Sequence, residues 1–417
     1  MERPQHLVAT EEVLARLLEA VAADARIGVD TESNGFHAYV ERVCLIQIAT
    51  SDADWAVDPL AVSLRPLVPL FAEPAREVIL HAAEYDVVCL KRELGLVFGR
   101  IFDTHAAAKV LGVQRVGLGN LIADELGVNL TIDEQRSDWG HRPLSPEQLA
   151  YAFADVRYLL ALREKLGARL VEQKRLPEAE AEFARLIAKE PRLREFDPEG
   201  WQRMKAARTL DGKGRAVLRE LFLLRDGRAR ELNRPPFKVL SDLFLGEVAR
   251  RLPQTEEALI GIPGASAAQV KKLAPQIVLA VKAGAAMESL PRPRGGRSRS
   301  PWGKDAGPPP PEVLDRYERL REWRKSRAGA RLVEVQVIAP NAVLMAIARG
   351  DPPDLAGLAA TPGMDPFRLE QYGAELLAVL ADARASPPEK PAEQVAPESG
   401  QVAEKARPLP PEQGELF

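Results

Sequence analysis

The chain has 417 residues, with 57 Lys and Arg against 60 Asp and Glu and only two cysteines. That length exceeds one ordinary core and points to two to four domains. No apolar run reaches the roughly 18 residues that a membrane-spanning helix needs, and no basic-then-apolar leader opens the chain, so a cytoplasmic protein without a membrane partner is expected. Cys44 and Cys89 lie in apolar runs and read as buried thiols of a reducing compartment. The net charge of −3 hides an uneven distribution: −10 over residues 1–200, +11 over 201–300 and −4 over 301–417. An acidic first part suits phosphate chemistry only where cations neutralise it, whereas the basic middle part attracts phosphates.

Residues 5–24 place Val13, Leu14, Leu17, Leu18 and Val21 at helical spacing and predict a surface helix. Strands rich in Val and Ile are predicted at 26–30, 43–49, 54–57 and 77–80. Their nearly continuous apolar character suits a sheet covered on both faces. Helices are predicted at about 84–95, 104–111, 117–126 and 146–170, the last opened by Ser145 as its cap and Pro146 at its first position. This alternation predicts an α/β layer architecture over residues 1–180.

A charged helical connector is expected over 181–211, followed by a purely helical stretch over 212–290 and a Pro/Arg-rich linker over 291–311. The helical module then repeats over 312–385 at a constant offset of 99 residues. Leu221 pairs with Leu320, Arg225 with Arg324, Val239 with Ile338, and Pro263-Gly264 with Pro362-Gly363. Residues 386–417 carry few apolar anchors and read as a disordered tail.

Three stretches carry chemistry. Asp30 and Glu32 end a buried strand at i and i+2, so both project to one side. Carboxylates that close raise each other's pKa unless a cation sits between them, and hard oxygen ligands suit Mg²⁺ or Mn²⁺. Asp86 stands at a second strand-to-helix junction, and Tyr151 with Asp155 sits at i and i+4 on one helix face. Gln47, His81, Arg136 and Arg142 are candidate substrate contacts, Asp103 a helix cap and Trp139 a packing residue. Arg225, Arg228, Arg230, Arg234 and Lys238 cluster with Phe237 and are a candidate phosphate-contacting patch.

In order and spacing, Asp30 with Glu32, Asp86, and Tyr151 with Asp155 resemble the three exonuclease motifs of the DEDDy 3′–5′ exonucleases. The surrounding text resembles the ribonuclease D family in particular: Leu45-Ile46-Gln47, Phe102-Asp103-Thr104, Glu134-Gln135-Arg136-Ser137-Asp138-Trp139 and Ala154-Asp155-Val156-Arg157-Tyr158-Leu159. One departure is His81, which stands where many members of the wider superfamily carry Asn. The two helical repeats resemble the HRDC domain.

The resemblance implies a ribonuclease H-like exonuclease domain, a mixed sheet flanked by helices, followed by two all-α HRDC bundles. It implies a metal-dependent 3′–5′ exoribonuclease that removes nucleoside 5′-monophosphates one at a time from RNA 3′ ends, with tRNA precursors as substrate. Two divalent metal ions are implied, with Asp30 bridging both, Glu32 and Asp155 on the water-side ion, Asp86 on the second, and Tyr151 orienting the attacking water. A DNA exonuclease of the same superfamily and a non-catalytic nucleic-acid-binding scaffold are the alternatives. No Walker loop or Rossmann glycine pattern is present, so no nucleotide cofactor is expected. A monomer acting on RNA with an accessible 3′ end is the reading carried forward.

Overall fold

The computed structural model describes residues 3–130, 134–191, 195–292 and 309–386. Most of the linker expected at 291–311, and all but the first residue of the tail expected at 386–417, lie outside the described residues.

The first part of the chain builds a six-stranded mixed sheet in the order β1-β4-β3-β2-β5-β6. Its strands are β1 Gln5–Val8, β2 Arg26–Ser33, β3 Val43–Ala49, β4 Asp54–Val57, β5 Glu77–Leu80 and β6 Ile101–Asp103. β3 runs antiparallel to both β2 and β4, and the other neighbours are parallel. β3, β4 and β5 are buried along their whole length because helices cover both faces.

Three expectations are corrected. Residues 5–24 are a strand followed by the helix Glu11–Ala23, whose cap Thr10 accepts from the Val13 amide. β6 was not anticipated either. Strands of three or four residues are too short for a period to show, and their neighbours' ladders specify them. The single helix expected over 146–170 is two, Pro146–Arg157 and Leu159–Glu172, which meet at Tyr158. The first opens as expected, with a Ser145–Gln148 capping box and Pro146 in the first turn.

This helix pair lies close on β2. A Cβ added at Gly28 would stand 3.2 Å from both the Val156 carbonyl oxygen and the Leu159 Cβ. Glycine there lets the helix backbone approach the strand that carries Asp30 and Glu32.

Two separate helical cores follow, one centred on Leu221, Phe244 and Ile277, the other on Leu320, Leu344 and Leu376. They share inward hydrogen bonds at the offset of 99 residues. Arg225 Nη1 donates to the Leu240 carbonyl at 3.2 Å, and Arg324 Nη1 to the Ala339 carbonyl at 2.7 Å. Gln269 Nε2 donates to the Val239 carbonyl at 3.3 Å, and Arg368 Nε to the Ile338 carbonyl at 3.0 Å.

The second repeat is docked on the first domain. Arg331 forms a fork with Glu178, both contacts 2.8 Å, and Arg368 Nη2 reaches Glu182 Oε1 at 2.5 Å. Val337 is buried in the sheet domain's own core, and Val333 packs against it. Among the described residues no helix is long and apolar enough to cross a membrane.

Candidate active site

Alternation along β2 puts Gly28, Asp30 and Glu32 on the face that the Pro146–Arg157 helix covers. Asp155 descends from that helix, and ligand oxygens of Asp30, Glu32 and Asp155 all lie within 4.8 Å of one another. Asp86, buried in the first turn of the helix Glu84–Leu94, stands beside the trio. Its Oδ1 accepts from the Thr31 hydroxyl at 2.5 Å. Thr31 lies between the two β2 acids, and its hydroxyl ties the Asp86 carboxylate to that strand, close enough for its charge to bear on Asp30 and Glu32.

The electrostatics follow from burial and crowding. Burial and then Asp86, Asp155 and Glu32 push the Asp30 carboxyl well above the usual range. Burial, then Asp155 and Asp86, push Glu32 up to about 9. Burial raises Asp86 to about 6, against the lowering effect of the Thr31 bond. Burial and then the Asp155, Glu32 and Asp30 charges raise the Tyr151 phenol. Tyr151 therefore keeps its proton, hydrogen-bonds Asp155, and is unsuited to act as a base. Trp139 is fully buried beside it, with ring centroids 6.1 Å apart, in the expected packing role.

Three hard carboxylate ligands within reach of one point, each disfavouring the others' charge, are a donor set suited to a divalent cation. A pH dependence follows. Glu32 ionises near pH 9 when folded and at its ordinary 4.5 when unfolded. Its contribution to stability is complete below about pH 4.5 and is lost as pH rises toward 9. A bound cation removes that loss and must displace the proton. The gain in Tm from Mg²⁺ over EDTA should therefore be larger at about pH 8.5 than at about pH 6. Equal gains by scanning calorimetry at both pH values would contradict the ligand assignment.

Comparison with known proteins agrees with this geometry. Residues 5–171 match the 3′–5′ exonuclease family, and residues 214–281 and 313–380 each match the HRDC domain. The fold and site thus define an exonuclease domain followed by two HRDC domains. Ribonuclease D of Jannaschia sp. (strain CCS1) is 32% identical over 389 residues, covering 90% of this chain and 95% of the relative. Ribonuclease D of Gluconacetobacter diazotrophicus is 33% identical over 313 residues, covering 74% and 78%. The catalytic core of RRP6 from Trypanosoma brucei is similar at TM-score 0.62 and 26% identity, over 68% of this chain and 81% of that one. Escherichia coli RNase D shares the fold at TM-score 0.61 and 22% identity, over 92% and 99%. The chain belongs to the ribonuclease D family, and it is a 3′–5′ exoribonuclease.

The other sequence candidates divide. Gln47 pairs with Asp30 across the β2–β3 ladder but is fully buried and presents nothing to a substrate, a correction. Arg142 is also corrected: its guanidinium is held by Asp58 at 2.6 and 2.8 Å and by the Cys44, Trp139 and His141 carbonyls. His81 is half-buried, bonded through Nδ1 to Thr104 Oγ1 at 2.9 Å. Burial and His105 lower its pKa to about 4, so it meets a phosphate only as a neutral ring. Arg136 is exposed. Asp103 caps its helix as expected, accepting from the His105 and Ala106 amides.

In the basic cluster, Arg225 is buried and turned inward to Leu240 and Asp242, which removes it from any surface patch. Arg228 pairs with Glu231, and Arg230 with Asp226. Lys238 donates to His37. Arg234 is exposed. Sequence reasoning missed Thr31, His37 and Tyr39. Thr31 was within sight, between two acids already singled out. The other two take their roles from partners far along the chain.

Proposed function

We propose that the four carboxylates and Tyr151 hydrolyse RNA from its 3′ end by two-metal-ion chemistry, releasing nucleoside 5′-monophosphates one at a time. The substrate class is tRNA precursors carrying a 3′ extension. The observation that carries this reading is the crowding of Asp30, Glu32 and Asp155 within 4.8 Å, with Asp86 and a protonated Tyr151 beside them. Asp30, Glu32 and Asp155 would hold one ion, and Asp86 would hold a second together with Asp30. Bound Mg²⁺ or Mn²⁺ would supply a water of lowered pKa and charge neutralisation at the departing 3′ oxygen.

The chain's own part is alignment. Glu32 and Asp155 accept from or orient what enters between strand and helix, and the Tyr151 hydroxyl directs the attacking water while retaining its proton. Arg136 and Arg234 remain exposed cations for the RNA backbone. The protein is read as a cytoplasmic monomer that uses no nucleotide cofactor.

A tRNA precursor with a short 3′ trailer tests the substrate assignment against an unrelated structured RNA with the same trailer. Preferential trimming of the precursor, stopping at the mature end, is the expected result. Equal trimming of both would sink it. Calorimetric titration with Mn²⁺ should give two sites, and a single site would remove the two-ion reading.

A further inference from the structure

Residues 34–42 join β2 to β3 and touch β2, the helix that carries Asp86, and the segment that leads to the Pro146–Arg157 helix. Beside Asp86, the Tyr85 hydroxyl donates to Glu41 Oε1 at 2.5 Å and lies 2.6 Å from the hydroxyl of Ser33 on β2. In the segment leading to the Pro146–Arg157 helix, the Arg136 carbonyl accepts from His37 Nε2 at 3.0 Å. The tip is gripped by the first HRDC domain. The Tyr39 hydroxyl donates to Asp226 Oδ1 at 2.8 Å, and its amide donates to Asn233 Oδ1 at 3.2 Å. The Arg230 guanidinium lies over its ring at 5.6 Å, and the ring packs on the HRDC core. Lys238 Nζ donates to His37 Nδ1 at 3.3 Å.

We propose that the first HRDC domain is a positioning element of the active site, acting through Tyr39 and Asp226, in addition to any contact it makes with RNA. Asp226 is buried and also accepts from Arg230 Nη2 at 3.2 Å, and a phenol donating to it fixes the segment in one place. Held there, the segment keeps Glu32, Asp86 and the helix bearing Tyr151 and Asp155 in one mutual alignment. Arg230 and Lys238, which looked like phosphate contacts, make their visible bonds to this grip. The proposal rests on the carboxylate site being the catalytic one.

The test separates alignment from RNA capture. A ribodinucleotide occupies little beyond the carboxylates, whereas an RNA of about 30 nucleotides spans both domains. In the full chain, Tyr39→Phe removes one hydroxyl and keeps the ring packing, and Asp226→Asn removes the charge it meets. Both should lower kcat on the dinucleotide by about 10- to 100-fold with little change in KM, as loss of an orienting contact does. The double variant should lose less than the two single losses combined, because both changes act on the same contact.

Unchanged kcat on the dinucleotide, with weaker binding of the long RNA alone, would overturn the proposal and leave a binding arm. Were Asp226→Asn to lower the Tm enough to confuse the reading, Tyr39→Phe carries the test alone. Absence of hydrolysis by the wild type with either substrate would instead overturn the catalytic reading beneath it.

Discussion

Asp30→Asn is expected to lower the single-turnover rate of RNA hydrolysis by about 10³-fold or more while RNA binding stays within a few-fold of wild type. Asp30 lies on the sheet's central β2, where the helix pair comes closest, and the ligand oxygens of Glu32 and Asp155 lie within 4.8 Å of its own. The amide has the same shape but gives a cation a neutral ligand. It also lessens the repulsion on Glu32 and Asp155, so the fold should be unharmed or more stable in EDTA. Rate loss with retained or raised Tm is therefore the signature. A rate within tenfold of wild type would mean the reaction runs elsewhere.

The second large effect concerns stability. Arg331→Ala should cost about 3 kcal/mol, because it leaves Glu178 buried without its fork and with only the longer contact to Arg175 at 3.6 Å. Glu178 is 1% exposed, and Arg331 is the cation that meets both its oxygens at 2.8 Å. The bond joins the second HRDC domain to the exonuclease domain, where Val337 is part of the core. Urea unfolding should show the loss. The double change Arg331→Met with Glu178→Leu should recover much of it, since paired apolar replacements avoid the stranded charge. A loss below about 1 kcal/mol for Arg331→Ala would place the pair among weak surface bridges.

The carboxylate cluster was legible in part because short-range periods pair its members, while the resemblance to the DEDDy motifs is what joined the three stretches. Asp30 and Glu32 share a face through the alternation of a strand, and Tyr151 and Asp155 through the turn of a helix. The interior strands were equally plain, since burial on both faces writes an unbroken apolar run. The edges were not: Gln5–Val8 and Ile101–Asp103 are too short to carry a period of their own.

The arginines show a different limit. A basic run looks the same in sequence whether it faces water or turns inward. Only the bond from Arg225 to the Leu240 carbonyl, repeated by Arg324 and Ala339, shows that this pair braces each bundle. The aligned arginines at the offset of 99 residues did mark a shared role, but a structural one. Gln47 was misread for a related reason: a polar residue inside an apolar run reads as a contact, and its complete burial opposite Asp30 shows only in the fold. Tyr39 gave no local signal at all, because Asp226 lies 187 residues away along the chain.

The most direct test of the account is a time course on a 5′-labelled RNA hairpin with a single-stranded 3′ tail, beside DNA of the same sequence. Each is run in Mg²⁺ and in excess EDTA. A ladder shortening by single nucleotides from the 3′ end of the RNA, absent in EDTA and weak on DNA, is the predicted result. Internal cleavage, or a ladder that persists undiminished in EDTA, would contradict it.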